Sequence, residues 1–209
     1  ALATALSDLR CMFAWQDLAA VSGNLKAIFP ALPKTRMRRI MFAQFRNFAK
    51  YLVDFLRFGK IGHRYLEAKV RAENLGFLDA ALAKGKGVII LSAHLGNWEM
   101  GAAKLADLGY PFWAVTLTHA NHRVNNFFNQ QRLSMGVRVI PFENAARRCL
   151  EELRANEIVA LVGDRDFTRQ GGVVIDFFGR ATLLPRGPAA FAAKTAAPVL
   201  PVFLLRRAL

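Results

Sequence analysis

Val88-Ile89-Ile90-Leu91-Ser92-Ala93-His94-Leu95-Gly96-Asn97-Trp98-Glu99 passes from an apolar run to a histidine followed five positions later by a carboxylate. The run is short, rich in β-branched residues and entered through Lys84-Gly85-Lys86-Gly87, so it predicts a buried strand. From Asn97 onward the spacing is helical. His94 therefore falls in a strand-to-helix turn, where rigid elements commonly present chemistry. A histidine there takes and returns a proton, and a carboxylate within reach fixes its tautomer and stabilises the imidazolium. Gly96 lets the backbone pass close to a substrate. Glu99, in the first helical turn, is expected to reach back toward His94. The alternative is a capped helix start with a hydrogen-bonded histidine and a solvated glutamate.

The same alternation extends on both sides. Helices are predicted over 73–83, 97–108, 121–134, 144–155 and 187–195, and strands over 88–91, 112–117, 137–140, 158–162, 173–178 and 199–205. Strands alternating with helices imply an α/β fold, a layered and mostly parallel sheet flanked by helices. In such sheets ligands gather at the carboxyl ends of strands. His94 and Asp164 both follow strands at that end, so a shared site is expected.

Upstream, residues 1–22 read as a packing helix, with Leu2, Leu6, Leu9, Phe13 and Leu18 on one side and a break at Gly23-Asn24. A longer helix is expected over 33–58, with Pro33 in its first turn. Residues 34–71 hold 11 Lys or Arg against Asp54 and Glu67. These N-terminal helices are both basic and amphipathic. Such a helix suits the headgroup region of a membrane, where each basic residue near an anionic surface contributes about 1 kcal/mol. It equally suits a core helix with a solvated basic face. The chain thus reads as a basic amphipathic helical region over 1–72 and an α/β catalytic domain over 73–209.

Of the 209 residues, 54% are hydrophobic and the mean hydropathy is +0.20, which excludes a disordered chain. No apolar run reaches the ~18 residues that span a bilayer. Lys and Arg number 29 against 15 Asp and Glu, a net charge of +14, which implies an acidic partner. Cys11 and Cys149 are too few for a disulfide framework and read as buried thiols in a reducing compartment. The chain starts at Ala1 and stops just after an apolar strand, so a piece is expected to be missing at either end.

The sequence contains no G-x-S-x-G elbow, no GxxxxGK[ST] loop and no CxxC pattern. Lys84-Gly85-Lys86-Gly87 serves as a tight turn and needs no nucleotide. His119 and His122 share a helix spacing but lack an acidic or cysteine co-ligand, so no metal is expected. The second informative stretch is Gly163-Asp164-Arg165-Asp166, leaving the end of a strand, with Asp176-Phe177-Phe178-Gly179-Arg180 beyond it. Its arginines can hold a phosphate or sugar-phosphate through forked contacts. A loop of mutually paired charges is the alternative, and exposed pairs contribute only ~0–1 kcal/mol. Arg132 is a third candidate for anion contact.

Together, His94-Leu95-Gly96-Asn97-Trp98-Glu99, Gly163-Asp164-Arg165-Asp166, Phe177-Phe178-Gly179 and Leu184-Pro185-Arg186-Gly187-Pro188-Ala189 through Pro198-Val199-Leu200-Pro201-Val202 resemble the bacterial lipid A biosynthesis acyltransferases. These are lauroyl and myristoyl transferases of the lysophospholipid acyltransferase superfamily, with phosphatidylinositol mannoside acyltransferases as relatives. Asn24-Leu25 and Phe29-Pro30 match the family's region before the catalytic domain.

The resemblance implies a glycerolphosphate-acyltransferase-like fold and acyl transfer from acyl carrier protein or acyl-CoA to a hydroxyl of a lipid A precursor or similar glycolipid, with phosphatidylinositol mannoside or a lysophospholipid as the alternative acceptor. The setting it implies is the cytoplasmic face of the bacterial inner membrane, bound peripherally or through a segment absent here. It assigns His94 and Glu99 as the catalytic pair. Asn97, Arg132, Asp164, Arg165 and Arg180 become candidates to position the acceptor, with no cofactor, metal or nucleic acid involved. His94 would deprotonate the acceptor hydroxyl, and the imidazolium would return its proton to the leaving thiol. The competing class is a non-catalytic membrane- or nucleic-acid-binding module using the basic face of 34–71.

Overall fold

The computed structural model describes residues 7–8, 14–166 and 171–206. Leu2, Leu6, Leu9, Cys11 and Phe13, for which the sequence sets expectations, lie outside the described residues. The chain divides into two compact units, Ala1–Asp54 with Val174–Leu183, and Phe55–Val173 with Leu184–Leu209.

In chain order the elements are α1 (Trp15–Ile28), α2 (Lys34–Leu56), α3 (His63–Lys69), α4 (Leu75–Leu82), β1 (Val88–Ser92), α5 (Trp98–Asp107), β2 (Phe112–Thr116) and α6 (His122–Leu133). There follow β3 (Arg138–Pro141), α7 (Ala145–Arg154), β4 (Ile158–Val162), β5 (Gly172–Asp176), β6 (Ala181–Pro185), α8 (Gly187–Thr195) and β7 (Val199–Pro201). Five strands form one sheet in the order β3-β2-β4-β1-β7, with every neighbouring pair parallel.

A parallel sheet is covered on both faces, so its strands read as continuous apolar runs. In β1, Val88 and Ile90 point to a layer containing Leu78 and Ala81 of α4 and Leu105 of α5. Ile89 points the other way, with Val159, to Ala145, Cys149 and Leu153 of α7 and to Phe191 and Ala192 of α8. Val88, Ile89, Ile158 and Val159 are completely buried. Burying each such side chain stabilises the fold by about 1.5–3 kcal/mol. The α/β sheet flanked by helices expected from the sequence is thus the fold observed.

The turn into β1 explains the Lys-Gly-Lys-Gly stretch. Gly87 has φ +68, and a Cβ there would meet the Leu153 carbonyl oxygen at 2.6 Å. Its N–H donates to Asn156 Oδ1 at 2.9 Å. The glycine admits close backbone packing beneath the sheet.

Several boundaries differ from the sequence reading. Helix α1 runs through Gly23-Asn24 because Leu25 just beyond is buried with Met37 and Met41 of α2, and this packing offsets a glycine's helix cost of about 1 kcal/mol. The 173–178 segment becomes β5, which pairs with the unanticipated β6 outside the five-stranded sheet. Phe178 and Gly179 take positive φ, and Phe177 and Arg180 exchange backbone hydrogen bonds, which closes a two-residue hairpin turn. The last strand shortens to Val199–Pro201, whose proline offers no N–H to extend a ladder. Helix α3, at seven residues, is too short for periodicity to reveal. Among the described residues no helix is long and apolar enough to cross a membrane.

Candidate active site

Strands β1 and β4 are parallel neighbours, with Ser92 opposite Val162 at their carboxyl ends. Two residues further along each chain, His94 and Asp164 meet, Nδ1 to Oδ1 at 2.7 Å. The carboxylate accepts the hydrogen bond from Nδ1–H, which fixes the tautomer that leaves the lone pair on Nε2. Asp164 also accepts from the backbone N–H of His94. Burial pushes the Asp164 carboxyl up, but the hydrogen bond from His94, its charge and the two backbone N–H groups outweigh burial and hold it below the usual aspartate value. The His94 ring lies in a T-shaped contact with Trp98, centroids 4.7 Å apart. The dyad is reachable from solvent, with side chains 22% and 35% exposed for His94 and Asp164.

The turn carrying His94 is held from both sides. Gly96, at φ +67, bridges to Leu204, and a Cβ at this position would fall 1.7 Å from the Leu204 carbonyl oxygen. Asn97 is buried and caps α5, its Oδ1 accepting from the Met100 N–H at 3.0 Å. Asn97 thus has a structural task beside the substrate role expected of it.

Glu99 takes a different partner from the one the sequence suggested. It sits with Met100 and Ala103 on the buried face of α5 and receives Arg132 from α6, Nη2 to Oε1 at 2.7 Å and Nε to both oxygens at 3.1 Å. Glu99 and Arg132 are 6% and 8% exposed. The guanidinium lies over the rings of Phe55 and Phe128, 5.5 and 5.9 Å from their centroids. A pair this buried depends on both members, since removal of one leaves an uncompensated charge. The chain therefore sorts its acids: Asp164 meets the histidine, and Glu99 ties α5, the helix that follows the histidine turn, to α6.

Arg165, beside Asp164, is exposed. Arg180 belongs to the smaller unit, at the hairpin turn. His119 rests on Phe128, ring centroids 4.7 Å apart, and its backbone N–H donates to Asn125 Oδ1. Trp98, Phe128 and Leu204 escaped the sequence reading. Trp98, four residues after His94 at the start of a helix, carried the one available signal.

The family profile described as bacterial lipid A biosynthesis acyltransferase matches residues 5–208. The chain belongs to the bacterial lipid A biosynthesis acyltransferase family. It is 33% identical over 184 residues to a phosphatidylinositol mannoside acyltransferase of Mycobacterium tuberculosis strain H37Rv, covering 85% of this chain and 58% of the relative. A protein of the same description from Mycolicibacterium smegmatis is 32% identical over 183 residues, covering 86% and 60%. A lipid A biosynthesis acyltransferase of Haemophilus influenzae is 23% identical over 182 residues, covering 86% and 57%. The chain thus spans a little under two thirds of the length of these relatives. In this member of the acyltransferase family, the motif His94-Leu95-Gly96-Asn97-Trp98-Glu99 supplies both the histidine that meets Asp164 and the Asn97 cap of α5.

Proposed function

We propose that this chain carries the catalytic centre of an enzyme that moves a fatty acyl chain from an acyl thioester to a hydroxyl of a glycolipid. The observation that carries the reading is the His94–Asp164 pair, a solvent-reachable imidazole whose Nδ1 is committed to a carboxylate. His94 Nε2 takes the proton of the acceptor hydroxyl as its oxygen attacks the thioester carbonyl. The new C–O bond forms, the C–S bond breaks, and the imidazolium returns its proton to the leaving thiolate. Asp164 stabilises the imidazolium between these steps. Acyl carrier protein or acyl-CoA serves as donor, and no cofactor enters the chemistry.

The named activities of the relatives support acceptors of the phosphatidylinositol mannoside or lipid A precursor type. Identity is higher to the phosphatidylinositol mannoside acyltransferases, 33% against 23%, which favours a mannosylated phosphoinositide among them. Arg165 is a candidate to meet the acceptor's phosphate, and Arg132 and Glu99 position the helix behind the histidine. Lys34, Arg36, Arg38 and Arg39 are exposed on α2, which supports peripheral attraction to an anionic membrane. The test is product mass spectrometry with defined acyl thioesters and both acceptor types. An acylated glycolipid is the expected product; its absence with every donor and acceptor, from folded protein, would sink the reading.

A further inference from the structure

The tip of the β5–β6 hairpin, Phe177-Phe178-Gly179-Arg180, has no part in the proposed chemistry, and one of its residues holds a backbone its side chain disfavours. Phe177 N–H to Arg180 carbonyl at 2.9 Å, and the reverse at 3.3 Å, leave Phe178 and Gly179 as the turn, with φ +55 and +71. Turns with positive φ at both central positions are commonly Asn-Gly or Asp-Gly. A bulky aromatic there is an outlier that persists only where something compensates it.

Packing among the described residues does not supply that compensation. Phe178 is 57% exposed, and its ring meets Phe177, itself 49% exposed, with centroids 4.6 Å apart. Val174 is 64% exposed, Ile175 39% and Leu183 39%. Successive strand residues point to opposite faces, so Val174 and Ile175 make the ribbon apolar on both. A hairpin facing water on one side would alternate apolar with polar residues. Charge is present as well: Arg180 flanks the aromatic tip, and the described residues of this unit carry eight Lys and Arg against four Asp, with Asp176 among the latter.

We infer that the 177–180 tip inserts into an anionic phospholipid bilayer, with Phe177 and Phe178 entering the boundary between headgroups and acyl chains and Arg180 meeting lipid phosphate. This rests on the reading that the chain works on a lipid. Five-residue strands extend about 16 Å, enough to reach an interfacial depth of about 5–10 Å. Aromatic rings beside a basic group suit that zone. The strain at Phe178 is then the conformational cost of placing an aromatic ring at the foremost point of the turn.

Flotation of the chain with vesicles of phosphatidylglycerol and phosphatidylcholine, and with phosphatidylcholine alone, reads the insertion. Phe178→Asn is the informative variant, because Asn suits positive φ. Its thermal midpoint by circular dichroism is expected to hold or rise, while its affinity for the anionic vesicles falls about tenfold or more. Undiminished flotation of Phe178→Asn overturns the proposal. So does a lowered midpoint, which would place the ring inside the fold, or the loss of a dimer in size-exclusion chromatography, which would place it against a second copy. Thiol release in detergent, with each acyl thioester donor and each glycolipid acceptor present, separates the two readings. Release by the parent chain with unchanged flotation of the variant overturns insertion alone. Lost flotation of the variant with no release by the parent overturns the acyl-transfer reading alone.

Discussion

His94 and Asp164 stand 70 residues apart in the chain and 2.7 Å apart in space, the same offset that sets Ser92 opposite Val162 in the sheet. Strand register, with no dedicated loop, brings the two together. The Asp164 carboxyl is held below its usual value by His94 against the opposing effect of burial. A depressed carboxyl pKa contributes stability above the unfolded value of about 3.9, and that contribution is lost as pH falls through the folded value. The difference in melting temperature between parent and Asp164→Asn should therefore narrow below about pH 4, as followed by circular dichroism across a pH series.

Asp164→Asn and Glu99→Gln should fail in different ways. Loss of the Nδ1 carboxylate is expected to slow turnover by about 100- to 10,000-fold with the fold intact. Glu99→Gln instead leaves the Arg132 guanidinium buried without its counter-charge, at a cost of about 3–5 kcal/mol in urea denaturation. Replacing both Glu99 and Arg132 by Met should cost less than the sum of the two single replacements. Additive losses would show that the pair is not coupled.

Gly96→Ala should damage stability and turnover together. The backbone at φ +67 alone costs a non-glycine residue about 1–2 kcal/mol, and the added methyl group meets the Leu204 carbonyl. The turn must move, and His94 moves with it. A urea midpoint equal to that of the parent would show that the bridge between Gly96 and Leu204 yields freely.

Cys149 is buried in the α7 layer, and burial together with the neighbouring Glu152 charge pushes its thiol up to about 12. The fold favours the neutral thiol, so this contribution is present below the unfolded value of 9.0 and is lost as pH rises toward 12. Iodoacetamide at pH 8 should leave Cys149 unmodified in native protein and alkylate it in urea, as resolved by peptide mass mapping. Native alkylation would show that α7 opens readily.

The sheet was legible in the sequence because Val88-Ile89-Ile90-Leu91 and Ile158-Val159-Ala160-Leu161-Val162 are buried on both faces and read as unbroken apolar runs. The convergence of His94 and Asp164 followed from the same pattern, since each lies just beyond a strand end. The partner of Glu99 was not legible. Five residues of spacing allow a reach back to His94, but the direction of the side chain depends on which face of α5 is buried, and that face looks toward Arg132. Hairpin β5–β6 was half legible: Val173-Val174-Ile175 announced a strand, but a phenylalanine at a turn position usually filled by Asn or Asp hid the return strand.

The most direct measurement is the rate of acyl transfer from a long-chain acyl thioester by His94→Ala, beside the parent chain, at matched circular dichroism. A fall of about 100-fold or more is expected if His94 moves the proton of the acceptor hydroxyl. Transfer by His94→Ala at the parent rate would contradict the mechanism.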